Sequence, residues 1–328
     1  GDTIIAGADG ASFTLDASGN VTQTGALIAP VVDITAADIS LSVIANTIST
    51  LTLDGDAVLV RNTADLDFAG VDAASLDLVN TGAVTQTGDV TVTGDADLTA
   101  TGDLNLGRDT NAFSGDVNLD VYRIVDFSSA ADLTLAGVGA TNAADVLNTI
   151  RAGGAISITG NATTAGDSDL SLTAATDISL DDAAIITTDT LSVDLTGALD
   201  LTSDNVFNEL AIAGADTADV RVVNALELQN VADDTGADAL DLTLALTSGA
   251  LTQAAGTTIN TRGGDLTITT DGGAVTLDQA NNLFDATDGQ GTGAVTTGGT
   301  VNAVLLNFAS TADPVVIPDD SLPVRTLG

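Results

Sequence analysis

Carboxylates are the only chemically active side chains that this 328-residue chain has in quantity. It holds 44 Asp and 2 Glu against 7 Arg, with no Lys, His or Cys, for a net charge of −39. The aspartates recur in close pairs: Asp54/Asp56, Asp65/Asp67, Asp95/Asp97, Asp167/Asp169, Asp181/Asp182, Asp233/Asp234 and Asp319/Asp320. On a strand, residues i and i+2 share a face, so an Asp-x-Asp pair sets two carboxylates side by side. Such a pair could begin the shell of six to eight oxygens that calcium takes, with Asp95, Asp97, Asp181 and Asp182 as the candidates. It could also supply the two carboxylates of a glycosidase. With this many aspartates, pairs arise by chance, and solvated turns outweigh a site by roughly five to one. No Gly-Gly-x-Gly-x-Asp calcium nonapeptide is present. Asp54-Gly55-Asp56 opens like an EF-hand loop, but Val58 stands where the third ligand belongs.

Other chemistry is scarce. With no Lys, His or Trp, and Tyr122 the single tyrosine, proton transfer would fall on Asp, Glu209 and Glu227, whose pKa values reach a useful range only when buried. A non-enzymatic protein is the expectation. Without cysteine there is no disulfide and no thiolate site. The charge repels nucleic-acid phosphates and anionic membranes. No apolar run approaches the roughly 18 residues of a membrane span. Neither a nucleic-acid partner nor membrane insertion is expected. Calcium or other divalent cations are the cofactors that such carboxylate rows would draw, and the fold is expected to loosen when cations are removed.

The elements that must carry these residues are legible in Gly82–Gly107. From Asp89 to Leu106 every even position is apolar or small and every odd one is polar. A period of two belongs to strands, yet the run is too long for one strand. Gly88, Gly94 and Gly102 mark bends that keep the same face inward, which is the sequence form of a β-solenoid coil. The preference for Asp over Glu points to turns, where the shorter side chain reaches backbone N–H groups.

Phrases recur along the chain. Gly19–Gly25 (GNVTQTG) returns as Gly82–Gly88 (GAVTQTG) and, altered, as Gly249–Gly256 (GALTQAAG). Asp followed by apolar, Ser/Thr, apolar begins at Asp38, Asp89, Asp132, Asp169, Asp177, Asp241 and Asp265, each read as a strand entered through an Asp turn. Asn-x-Phe occurs as Asn111/Phe113, Asn205/Phe207 and Asn282/Phe284. Its Phe is expected to fill a corner of the interior, and its Asn to cap the turn or stack in a ladder. Thr141–Gly154 has helix-like apolar spacing and predicts a short helical excursion. Ala232–Ala239 reads as a loop. The seven arginines are expected to pair with Asp on neighbouring coils.

Residues 1–312 thus read as one solenoid domain of about 15 coils at roughly 20 residues each. Residues 313–328, with Pro314, Pro318, Pro323 and Arg325, read as a cap, a linker or an arm that docks another subunit. The first residue is Gly1 and no signal peptide is visible, so the N-terminus is expected to be processed or truncated.

GAVTQTG, GDLTI, NAFSGDV and NLF, set in an Asp/Thr/Gly-rich background, resemble the repeat region of filamentous-haemagglutinin-like bacterial exoproteins of the two-partner secretion type. The resemblance covers most of residues 11–310. It implies an exported right-handed parallel β-helix in adhesion, matrix building or surface structure. That family's secretion domain carries Asn-Pro motifs, and this chain has no Asn-Pro. The expectation is therefore an all-β right-handed parallel β-helix, extracellular or on the cell surface. It would be a rod or fibre subunit that associates end to end, with host-cell or matrix glycans as candidate partners. Tandem β-sandwich adhesin modules are the alternative fold. A carbohydrate-binding or carbohydrate-cleaving β-helix using clustered Asp is the alternative function.

Overall fold

The computed structural model describes residues 1–140, 146–232, 239–261, 264–277, 279, 282, 293–297 and 301–303. Within Gly82–Gly107 the alternating run breaks into strands Val84–Gln86, Val90–Val92, Ala96–Ala100 and Leu104–Leu106. The turns between them fall at the three glycines, and parity survives each bend: Val84, Val90, Val92, Ala96, Leu98, Ala100, Leu104 and Leu106 are all buried. Leu104 then pairs with Val84, where the run began. One circuit of the chain has closed, and the next coil stacks on it.

The described residues form strands joined by turns, and the pairings are parallel throughout. This is an all-β parallel β-solenoid. The chain divides into two compact units, Gly1–Ala175 and Thr176–Gly328. In the first unit, registered pairings carry one interior column through Val21, Ile39, Val58, Leu76, Ala96, Val117, Leu135 and Ile158. Each is at most 3% exposed. A column of aliphatic side chains at the strand spacing of about 4.8 Å buries a narrow core without large aromatics. Phe68, Phe113 and Phe127 add bulk at single levels. The Phe113 and Phe127 rings lie 4.6 Å apart, tilted by 40°. In the second unit Leu199, Ala218, Leu242 and Leu266 form an equivalent column.

Coil length varies. Asn205 closes a short circuit by pairing with Val222, whereas Val231 reaches its partner, Ile259, only after a much longer one. The described residues hold about 12 turns, against the roughly 15 expected of the whole solenoid.

The helical excursion expected within Thr141–Gly154 is corrected over its second half. Leu147–Ala152 is a strand, with Asn148, Ile150 and Ala152 inward. It pairs with Asp126–Ser129 below and Asp169–Ala174 above, so backbone partners on both sides outweigh the local spacing. Residues 141–145 lie outside the described residues, as do 233–238, Phe284, and Pro314, Pro318, Pro323 and Arg325 of the final segment.

Candidate functional site

Three kinds of polar structure recur on this scaffold. The first is a row of aspartates at the turns. Asp38 Oδ1 accepts the N–H of Ala57, Asp65 that of Ala83, Asp95 that of Asp116, and Asp132 that of Ala155, at 2.8–3.3 Å. In the second unit Asp177 accepts from Ala198 and Asp241 from Asp265. Each carboxylate sits at the entry to a strand and reaches the same place one coil later. The two bonds of the Asp side chain span that step. A Glu would overshoot it, which favours Asp over Glu at these turns.

The second is a buried amide corner, which sequence reasoning saw only as two unrelated phrases. Asn111, fully buried, accepts from Gln86 Nε2 and from the N–H of Val90 at Oδ1, and donates through Nδ2 to Gln86 Oε1 and to the carbonyl of Leu106. All its donors and acceptors are used. Asn46 does the same with Gln23, the N–H of Leu27 and the carbonyl of Leu41. Asn282 pairs with Gln253 through both amides at 2.7 Å and accepts the N–H of Ile259. The Gln of each VTQTG-type phrase therefore binds an Asn one coil on, at intervals of 23, 25 and 29 residues. In the first two corners, a methyl group on Gly25 or Gly88 would run into the carbonyl oxygen of Ala6 or Ala69. Only Gly closes the corner there.

The third is charge between coils. Of the arginines, Arg61, Arg108, Arg123, Arg151 and Arg221 are described, and they pair with Asp77, Asp89, Asp103, Asp126 and Asp204 on neighbouring coils. Arg61 grips Asp77 with two bonds of 2.9 Å. The hydroxyl of Thr110 and the guanidinium of Arg108 hold the Asp89 carboxyl below its ordinary value. Elsewhere like charges stack in register: Asp54 on Asp72, Asp77 on Asp97, Asp200 on Asp219, and the only two glutamates, Glu209 and Glu227, on each other.

The cation candidates fall apart spatially. Asp95 is a turn cap that accepts the Asp116 N–H. Asp97 lies on the outer face of Ala96–Ala100, stacked on Asp77. Asp181 and Asp182 occupy an exposed turn in the second unit. Among the described residues no group of three or more acidic side chains is placed to hold a metal ion. Asn205 and Phe207 are buried as Asn111 and Phe113 are, but Asn205 has no glutamine partner among the described residues. Leu180 stands where Gln86 would, two residues after Ile178, which pairs with Leu199 as Val84 pairs with Leu104. Asn205 instead donates to the carbonyls of Leu201, Ser203 and Arg221.

At this corner a pocket of about 340 Å³ opens. Its wall is a bulge: Leu201 pairs with Val220 and Asn205 with Val222, so three residues, Thr202–Asp204, face Arg221 alone. The turn Asp181–Ile185 forms the other side, and the Ser203 hydroxyl ties the two by donating to the carbonyl of Asp181. Sequence reasoning chose Asp182 for its adjacent carboxylate; its partners in space, Thr202, Asp204 and Arg221, were not foreseen.

Residues 55–120 and 217–289 match a family described as repeats of unknown function (DUF5649). Each matched segment contains one complete amide corner, Gln86 with Asn111 and Gln253 with Asn282. This is a repeat protein. Neither the curated proteins nor the solved structures contain a match. The comparisons give no support to the resemblance to filamentous-haemagglutinin-like proteins.

Proposed function

We propose that this chain is a structural or adhesive β-solenoid of the cell surface or extracellular space, non-enzymatic, and that it joins other solenoid coils end to end. The observation that carries the reading is the repetition of one coil. Registered parallel pairings carry a single aliphatic column from Val21 to Ile158, so each coil offers the next the same backbone ladder and the same apolar interior. A ladder built this way extends by adding coils in head-to-tail sense, and such contacts propagate when the rotation does not close. The same coil geometry also supports the surface-presenting role, since outward side chains repeat from coil to coil.

Electron microscopy and light scattering of the purified chain test this, with calcium and with chelator. Rods longer than one chain are the expected result. Single particles at every concentration tested would overturn the end-to-end part of the reading.

A further inference from the structure

The pocket beside Arg221 brings several features of a binding site together. It lies where the glutamine corner is missing, so the coil is not closed there by Gly and a paired amide. The bulge at Thr202–Asp204 re-aims side chains at a place where the ladder is interrupted; such bulges are over-represented beside binding sites. Its geometry is fixed from inside: Asn205 is fully buried and anchors the bulge through three backbone carbonyls, and Ser203, itself buried, holds the facing turn.

The chemistry of the lining selects a ligand class. Arg221 Nε lies 2.8 Å from Asp204 Oδ1, so the ion pair neutralises itself while leaving further guanidinium donors and a second carboxylate oxygen. The Thr202 hydroxyl, which donates to Asp200, retains acceptor capacity. Asp182 adds a carboxylate from the opposite wall, and Ala183 and Ile185 add a small apolar patch. Anions are disfavoured by Asp182 and by the charge of the chain. Large apolar ligands lack a surface to bury. Fixed acceptors alternating with donors, beside a patch of CH groups, complement vicinal hydroxyls on one edge of a ring and its C–H face on the other. The volume lies at the lower end of the roughly 300–1,000 Å³ range of small-molecule sites.

We infer that this pocket binds a neutral sugar ring, with Asp182 and Asp204 accepting from hydroxyls, Arg221 donating, and Ile185 and Ala183 packing against the ring face. The inference rests on the adhesive reading above and deepens it by giving it a ligand class. The test is ligand-observed NMR and calorimetry on the full chain with methyl glycosides of glucose, galactose and mannose, and with N-acetylglucosamine. Galacturonate serves as the anionic comparison. At least one neutral sugar is expected to bind in the millimolar range, more tightly than galacturonate. Arg221→Gln should weaken it by tenfold or more. Ala183→Phe fills the pocket from an exposed turn without touching the ion pair; it should abolish binding while leaving the urea midpoint unchanged, and it decides the matter if Arg221→Gln unfolds. No binding by any sugar in the panel, or binding that survives Ala183→Phe, would overturn the assignment. Rods seen without sugar binding sink this inference alone, and sugar binding without rods sinks only the end-to-end reading.

Discussion

Gln86 and Asn111 exchange two amide hydrogen bonds of 2.8 Å across adjacent coils. The pair does what a backbone carbonyl does elsewhere in the ladder. At the corner the chain turns away, so the N–H of Val90 has no carbonyl above it and takes Asn111 Oδ1 instead. Gln86 in turn holds the Asn side chain in the one orientation that serves. The arrangement recurs at Asn46 and Asn282, which makes it a property of the repeat.

Removing the side chain of Asn111 should therefore cost more than an ordinary hydrogen bond. Asn111→Ala strands the Val90 N–H in the interior and removes a donor from the Leu106 carbonyl. Each buried, unsatisfied group costs about 1–3 kcal/mol. A loss of about 3 kcal/mol is expected in urea melts, with less for Gln86→Ala, whose site is only partly buried. Equal effects for the two variants would mean that Gln86 carries the corner.

The two halves of this corner were visible in the sequence, but their partnership was not. VTQTG and Asn-x-Phe stand out as phrases, yet the interval between Gln and Asn drifts from 23 to 29 residues as turns lengthen, so no fixed period exposes it. The alternation around Val90–Leu106 revealed strands, bends and parity, because burial on one face repeats locally whatever the turn length. Leu147–Ala152 misled for the opposite reason. A helical spacing of apolar residues exists there, but pairing with strands of the coils before and after decides the conformation. The pocket was invisible because it depends on an irregularity at Leu201–Asn205 and on a missing glutamine.

The aspartate caps make a prediction about side-chain length. At Asp65, which accepts the Ala83 N–H at 2.8 Å, Asn keeps an acceptor in the same place. Asp65→Asn should change stability by less than about 0.5 kcal/mol, whereas Asp65→Glu and Asp65→Ala should each cost about 1 kcal/mol, the scale of a lost helix N-cap. Urea midpoints of the three variants test this, and an Asp65→Glu variant as stable as the parent would mean that reach is not what selects Asp.

Asp89 predicts the direction of a pH effect. Thr110 and Arg108 lower its folded-state pKa, so the group contributes stability that is present above the unfolded carboxylate value and lost as pH falls through the folded one. In a carbon-detected NMR titration its midpoint should lie below that of free Asp. Thr110→Ala and Arg108→Gln should each raise it, since both side chains bond the carboxylate. A midpoint unmoved by both would separate the titration from this contact.

The stacked like charges predict a gain from neutralisation. Asp200 and Asp219 are in register on adjacent strands, and like charges so placed are destabilising by roughly 0.2–1 kcal/mol. Among the described residues no arginine forms an ion pair with either, in contrast to Asp77, which has Arg61. Asp219→Asn should therefore stabilise the protein in low salt. The gain should shrink at about 1 M salt, where the screening length of about 3 Å is shorter than the strand spacing. The parent itself should melt at a higher temperature in salt, with calcium acting at lower concentration than sodium, because a divalent ion screens two carboxylates at once. Matched melts of parent and variant across a salt series check both. A gain that is the same at every ionic strength would assign it to packing or backbone effects at residue 219, and the acidic stacks would then carry no energetic role in the coil.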